Sequence, residues 1–236
     1  MIGIVLQARM GSTRLPGKVL RVMCGRSMLS HNLDRLKRLN RADRLIVAIP
    51  DGPADEELAR HCMAEGVDCF LGSEGDVLAR YYYCARQFHL DHIVRATADC
   101  PLVDPVEADA LVSLHLDKEA DYSSSKNEVG CGLPNGMGLE VFAFPTLQRS
   151  HMEGHQPNHR EHINEYVTEN RELFRIAAHK EPPEKSAPGL DVTVDTLRDF
   201  VFVNGIMEHF HGDHQAMTTE AIIAYCGTFP VPQCTV

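Results

Sequence analysis

The chain has 236 residues, 44% hydrophobic and 24% charged, a composition that suits a water-soluble globular protein with a sizeable core and excludes collagen-like, fibrous and disordered classes. No apolar run approaches the ~20 residues that a membrane-spanning helix needs, and no basic segment precedes the short apolar start, so a cytoplasmic protein without a signal peptide or membrane partner is expected. The formal net charge of -10 argues against a nucleic-acid partner, yet residues 1–44 hold ten basic side chains against two acidic ones, which marks a local anion site on an acidic body.

Ile2 to Leu6 is a continuous apolar run of the kind found in a buried parallel strand, and it leads into a glycine-bearing loop, Met10 to Lys18. Met28, Leu29, Leu33, Leu36 and Leu39 fall at helical spacing, with Asp34, Arg35, Lys37 and Arg38 on the other side. Arg44–Ile49 reads as a strand, Pro53–Glu65 as a helix, Val67–Leu71 as a strand, Asp76–Phe88 as a helix and Ile93–Thr97 as a strand running into Asp99-Cys100-Pro101. This alternation predicts right-handed crossovers and a parallel sheet covered on both faces.

The second half is less regular. Val106–Leu116 looks helical, Asp121–Ser124 and Leu139–Phe144 look extended, and His159–Asn170 is expected as one helix. Phe174–His179 is a further strand candidate, Glu181–Gly189 a surface loop, and Asp191–Val194 a short last strand. Helices Leu197–Phe210 and Thr218–Cys226 close the chain. The expectation is an α/β fold, a three-layer α/β/α domain over 1–236 with a mostly parallel central sheet: residues 1–105 form a nucleotide-binding half, and residues 106–236 an acceptor-binding and dimerisation half. Eight scattered cysteines (24, 62, 69, 84, 100, 131, 226 and 234), none in C-x-x-C spacing, are expected as reduced thiols.

Ligands of open parallel sheets sit beyond the carboxyl ends of the strands, so the Arg9–Lys18 loop and Asp99 are expected on one edge. Gly11 and Gly17 let the loop turn backbone N–H groups toward an anion, and Arg9, Arg14 and Lys18 add three cations, which suits a polyphosphate. The P-loop pattern fails here: five residues rather than four separate Gly11 and Gly17, and Val19 stands where a hydroxyl should hold magnesium. No G-x-G-x-x-G pattern is present. The alternative is a plain basic surface loop.

Two carboxylates stand out. Asp99 follows a strand and precedes Cys100-Pro101. Asp195 shares one face of an extended segment with Asp191 and Thr193. Magnesium takes one or two protein carboxylates plus phosphate oxygens and water, which Asp99 and Asp195 fit. Asp195 serves equally well as the N-cap of the helix that follows.

Six segments in order, Q-A-R-M-G-S-T-R-L-P-G-K-V-L, F-L-G-S-E-G-D-V-L-A-R-Y, V-R-A-T-A-D-C-P-L-V-D-P, N-G-M-G-L-E-V-F, R-E-H-I-N-E-Y-V and D-V-T-V-D-T-L-R-D-F, resemble the signatures of the spore-coat-polysaccharide-type cytidylyltransferases, relatives of the CMP-sugar synthetases for nonulosonic acids and 3-deoxy-manno-octulosonate. The resemblance runs from Ile4 to about Phe200. It implies a glycosyltransferase-A-like nucleotidyltransferase fold and a reaction of CTP with a small acid or phosphate that releases pyrophosphate, for surface polysaccharide. Arg9, Arg14 and Lys18, with Gly11 and Ser12, match the triphosphate loop, and Asp99 and Asp195 match the aspartates that hold Mg2+. Ala8, Gly72, Ser73 and Asp76 match segments lining the nucleoside pocket, and Arg80 and Arg95 match basic positions near the site. A homodimer is implied. The sequence departs from the pattern at Ala98, where glycine is usual, and at Ala79, where an acid is usual.

In-line displacement at the α-phosphate builds charge on the departing pyrophosphate, which cations in the loop would stabilise. Acceptor recognition is expected from the second half: Arg160 and His162 for an anionic acceptor, Glu140 for an acceptor hydroxyl. The bland alternatives are a hairpin turn around Asn135–Glu140 and a capped surface helix. The string His209-Phe210-His211-Gly212-Asp213-His214 resembles a metallo-β-lactamase zinc signature but lacks the downstream ligands of that fold. With His151, His155, His159 and His162 it is read as polar surface. Other functions left open are a nucleotidyltransferase using another NTP and a non-catalytic nucleotide sensor or scaffold.

Overall fold

The computed structural model describes residues 1–228, so Cys234 lies outside the described residues. The first apolar run forms β1 (Ile2–Gln7). A two-residue ribbon of β2 (Val22–Met23) and β3 (Arg26–Ser27) then leads into α1 (Met28–Leu36), whose N-cap Ser27 accepts from the Ser30 amide. Next come β4 (Arg44–Pro50), α2 (Glu56–Ala64), β5 (Asp68–Gly72), α3 (Val77–Gln87), β6 (His92–Thr97) and α4 (Pro105–Asp117). β7 (Tyr122–Ser124), β8 (Glu140–Ala143), α5 (Phe144–Glu153), α6 (Pro157–Glu161), α7 (Glu165–Glu169), β9 (Ile176–Ala178), α8 (Leu197–His209) and α9 (Thr219–Gly227) follow.

Seven strands form one sheet in the order β5-β4-β1-β6-β8-β7-β9, so both halves of the chain contribute to it. The β4/β5, β1/β4, β1/β6 and β7/β9 pairs are parallel, whereas β8 runs antiparallel to both β6 and β7. Side chains alternate across the sheet. Ile4 and Leu6 join Leu29, Leu33, Leu58, Leu111, Val203 and Ile206 on one face, while Val5 joins Tyr81, Leu147, Ile163 and Val167 on the other. The three layers expected from the sequence are therefore present.

The second half departs from expectation in four places, the first being the helix α5, which follows β8 where no element was expected. The helix expected over 159–170 is two short helices, because His162 closes α6 in an extended conformation (φ -115, ψ 102). The break sinks Ile163 into the core beneath α3 and α5. The loop expected at the surface over 181–189 sends Lys185 inside, where its ammonium meets Asp104 and Glu107, each at 2.9 Å. Asp191–Val194 forms no ladder and makes a single bridge, Asn135 to Asp191, while Val192 and Val194 are buried.

Candidate active site

A cleft of about 430 Å³ opens at the carboxyl ends of β1 and β6, lined by residues of both halves, including the 8–18 loop, Asp99, Lys126, His162 and Asp195. The loop folds back on itself: the Ser12 and Gly17 amides both donate to the Met10 carbonyl, and the Met10 amide donates to Asp55. Leu15 and Val19 are buried and pin it to the core. Gly17 sits at φ +68, which a side chain rarely adopts, and it turns the chain so that Lys18 points inward.

The Lys18 ammonium donates to the Val194 carbonyl at 2.7 Å and to Asp195 Oδ1 at 3.0 Å. Arg14 Nη2 meets the other carboxylate oxygen of Asp195 at 2.9 Å. The Val194 amide in turn donates to the Asp99 carbonyl at 2.8 Å, which stitches the two aspartate-bearing segments together. The helix cap left open by the sequence falls on Thr196, which accepts from the Asp199 amide in a capping box with Asp199, so Asp195 is free to face the cleft. Asp99 Oδ1 accepts weakly from the Cys100 thiol (3.4 Å), and burial together with the Asp99 charge pushes that thiol's pKa up. Among the described residues no three His, Cys, Asp or Glu side chains group as a metal cage. Two carboxylates on stitched backbone beside basic groups suit a hard, oxygen-ligated ion that takes the rest of its shell from phosphate and water.

Of the residues singled out from sequence, Ala8, Arg9, Ser12, Arg14, Lys18, Arg80, Arg95, Asp99, His162 and Asp195 line the cleft. Gly11, Gly72, Ser73, Asp76, Glu140 and Arg160 do not. Asp76 caps α3 by accepting from the Ala79 amide, and the Ser73 hydroxyl accepts from the Asp76 amide. Gly72 makes room for Phe70 and Arg80, which a Cβ there would meet at 2.8 and 3.0 Å. Arg160 is drawn to His151, donating to its carbonyl at 3.0 Å, and to Asp76 at 3.5 Å, rather than to an acceptor. Glu140 is fully buried, where it accepts from Tyr122 at 2.6 Å and pairs with Lys126 at 2.7 Å and with Arg95, so its carboxylate does not reach a hydroxyl in the cleft.

Of the histidines read as surface, His155, His162, His209 and His211 are exposed, whereas His214 is half-buried with its Nε2 3.1 Å from His31 Nδ1, and His159 is buried against Glu169 at 2.8 Å.

Sequence reasoning missed Gln7, Thr97, Lys126, Asn135 and Thr193, which also line the cleft. Gln7 and Thr97 are the paired last residues of neighbouring strands, and Lys126 follows the end of β7. The strand-end rule that singled out Asp99 applies to all three. Gln7 Oε1, Arg80 Nε and Arg95 Nε are buried in this lining without a hydrogen-bond partner. Buried polar atoms are seldom left so, and their convergence on one cleft marks the place of a polar ligand.

A mostly parallel sheet with a basic loop after its first strand and two aspartates on hydrogen-bonded segments beside it is the arrangement of a nucleotidyltransferase. The profile of the cytidylyltransferase family matches residues 2–202, and the chain belongs to that family. It is 31% identical over 209 residues to the spore coat polysaccharide biosynthesis protein SpsF of Bacillus subtilis, covering 86% of this chain and 85% of that protein. The structure of a cytidylyltransferase from Leptospira borgpetersenii superposes with a TM-score of 0.85 at 30% identity, over 96% of this chain and 94% of that one. At 18% identity, the CMP:2-keto-3-deoxy-manno-octonic acid synthetase in complex with CTP shares the fold with a TM-score of 0.69, over 89% of this chain and 99% of that one.

Proposed function

We propose that the protein transfers a cytidylyl group from CTP to a small acidic sugar or phosphorylated acceptor, releasing pyrophosphate, to supply an activated unit for surface polysaccharide. The observation that carries this reading is the Asp195 carboxylate gripped by Arg14 and Lys18 while the next carbonyl, that of Val194, also binds Lys18 and its amide holds Asp99. In the reaction an acceptor oxygen attacks the α-phosphorus, a hydroxyl acceptor giving up its proton to solvent, the bond from that phosphorus to the bridging oxygen breaks, and pyrophosphate leaves with the electron pair. Arg14 and Lys18 exchange Asp195 for β- and γ-phosphate oxygens and neutralise the charge that grows there, and Arg9 adds a third cation at the cleft. Asp99 and Asp195 would hold Mg2+, which when bound supplies Lewis-acid stabilisation of phosphate charge. Ala8 and Arg80, which line the cleft, are assigned to the nucleoside and His162, also in the lining, to the acceptor. A homodimer in the cytoplasm, with access to the CTP pool, belongs to the same reading. No helix among the described residues is long and apolar enough to cross a membrane.

The test is pyrophosphate release from CTP, UTP, ATP and GTP with magnesium across a panel of acidic sugars and phosphorylated acids. Turnover with CTP and one acidic acceptor, lost in Asp99→Asn and Asp195→Asn, supports the reading. Nucleotide binding without turnover on any acceptor would overturn it in favour of a sensor.

A further inference from the structure

At the junction of β6 and β8 a second set of charges faces the cleft. Arg95 and Glu140 are register partners across the two strands, and Lys126 follows β7, the next strand over. Glu140 is fully buried, and a lone carboxylate there would be costly unless paired. Burial by itself would raise its pKa, but Arg95 and Lys126 outweigh that and hold it down at about 2, so it is ionised at neutral pH. Tyr122 donates to one carboxylate oxygen, and Arg95 and Lys126 meet the other.

Glu140 does not line the cleft, whereas both of its cations do. Two cations against one carboxylate leave the wall with one unit of positive charge. Arg95 is 8% exposed, and its Nε is buried without a partner. The guanidinium carries five donors in a flat fork and the ammonium three, more than one carboxylate uses.

We infer that Arg95 and Lys126 form the subsite that grips the carboxylate of the acceptor, with Glu140 as the positioning residue that fixes both cations and sets their net charge. The inference rests on the proposed cytidylyl transfer for the identity of the ligand as acceptor. It moves Arg95 from the nucleotide to the acceptor. A carboxylate matches a single unit of positive charge, whereas a phosphate monoester near neutral pH brings nearly two negative charges to a wall that offers one. A neutral sugar leaves the Arg95 Nε–H without a charged partner.

The full chain, labelled at arginine Nε, is titrated with pyruvate and separately with inorganic phosphate, and the Nε–H signal of Arg95, assigned by its loss in Arg95→Lys, is followed by NMR. The expected result is a saturable shift with pyruvate that persists when CTP is bound, and an affinity weakened by about tenfold or more in Lys126→Met. Glu140→Gln removes the neutralising charge while keeping the shape, so the ratio of phosphate to pyruvate affinity rises by about tenfold, a change that loss of packing would not produce. Should Glu140→Gln fail to fold, Lys126→Met at the partly exposed cation decides. The inference is overturned if pyruvate leaves the Arg95 signal unmoved, if Lys126→Met binds pyruvate as wild type does, if phosphate is preferred at Arg95 in the wild type, or if CTP displaces pyruvate. That last result leaves cytidylyl transfer intact. Pyruvate binding with no transfer to any acceptor overturns the reaction alone.

Discussion

Lys18 and Arg14 grip the same carboxylate from different depths, and replacing each by methionine separates folding from catalysis. The Lys18 side chain is 11% exposed and satisfies both Asp195 and the Val194 carbonyl, so Lys18→Met removes two charge-assisted hydrogen bonds from a nearly dry site. Losing such bonds costs about 2 kcal/mol, which for a chain of this size lowers the thermal midpoint by about 4–8 °C. Arg14 is 63% exposed and makes one ion pair, and screened pairs of that kind are worth about 0–1 kcal/mol, so Arg14→Met stays within about 4 °C of wild type. Turnover orders differently. Both cations are placed on the leaving pyrophosphate, and each deletion lowers kcat/KM for CTP by about 100-fold or more. Calorimetric melting alongside continuous pyrophosphate detection measures the two effects in one preparation. Equal destabilisation of the two variants, or turnover within about threefold of wild type for Arg14→Met, would refute the reading that both cations serve turnover while Lys18 alone also holds the fold.

Four further outcomes are expected. Gly138→Ala places a Cβ 2.1 Å from the Ser125 carbonyl oxygen, a backbone clash that costs about 3 kcal/mol or more and shows as a large drop in melting temperature or as insoluble protein. Lys185→Met leaves Asp104 and Glu107 buried beside no ammonium, which costs about 3–5 kcal/mol in urea unfolding while CTP affinity is unchanged. Burial, reinforced by neighbouring charges, pushes His115 and His214 down to about 4 from an unfolded value of 6.5. The unfolded chain thus takes up protons first, and stability is level above pH 6.5 and falls between 6.5 and 4; His214→Gln flattens that slope in a pH series of melts. Chelation with EDTA abolishes pyrophosphate release and added Mg2+ restores it, while Asp99→Asn and Asp195→Asn each stay folded and lose about 100-fold or more.

The parallel half was legible because β1 and β4 are largely apolar runs in the middle of the sheet and the helices between the strands carry a one-sided stripe, while β5 and β6 follow from the alternation with those helices. The second half was legible in part. The short strands β7 and β9 fall inside the segments read as extended, but α6 and α7 read as one helix because nothing local announces that His162 is extended. Lys185 looked solvated in a proline-rich loop, and only the distant Asp104 and Glu107 draw it in. At the site, Lys18, Asp99 and Asp195 were legible from strand ends, glycine turns and family signatures. The partner of Glu140 was not, since a lone carboxylate in a four-residue strand gives no hint that a register neighbour, Arg95, will neutralise it.

The reversal of β8 has a consequence for how such an enzyme diversifies. Because β8 runs against its neighbours, it is entered rather than left at the cleft edge of the sheet, and the 125–139 stretch between β7 and β8 gives several residues to the cleft lining, among them Lys126, Asn135 and Gly138. Exchanges at its exposed positions alter the mouth of the cleft and leave untouched the strands that carry the 8–18 loop and Asp99. The lining can therefore change shape within a single span while the cationic loop keeps its place.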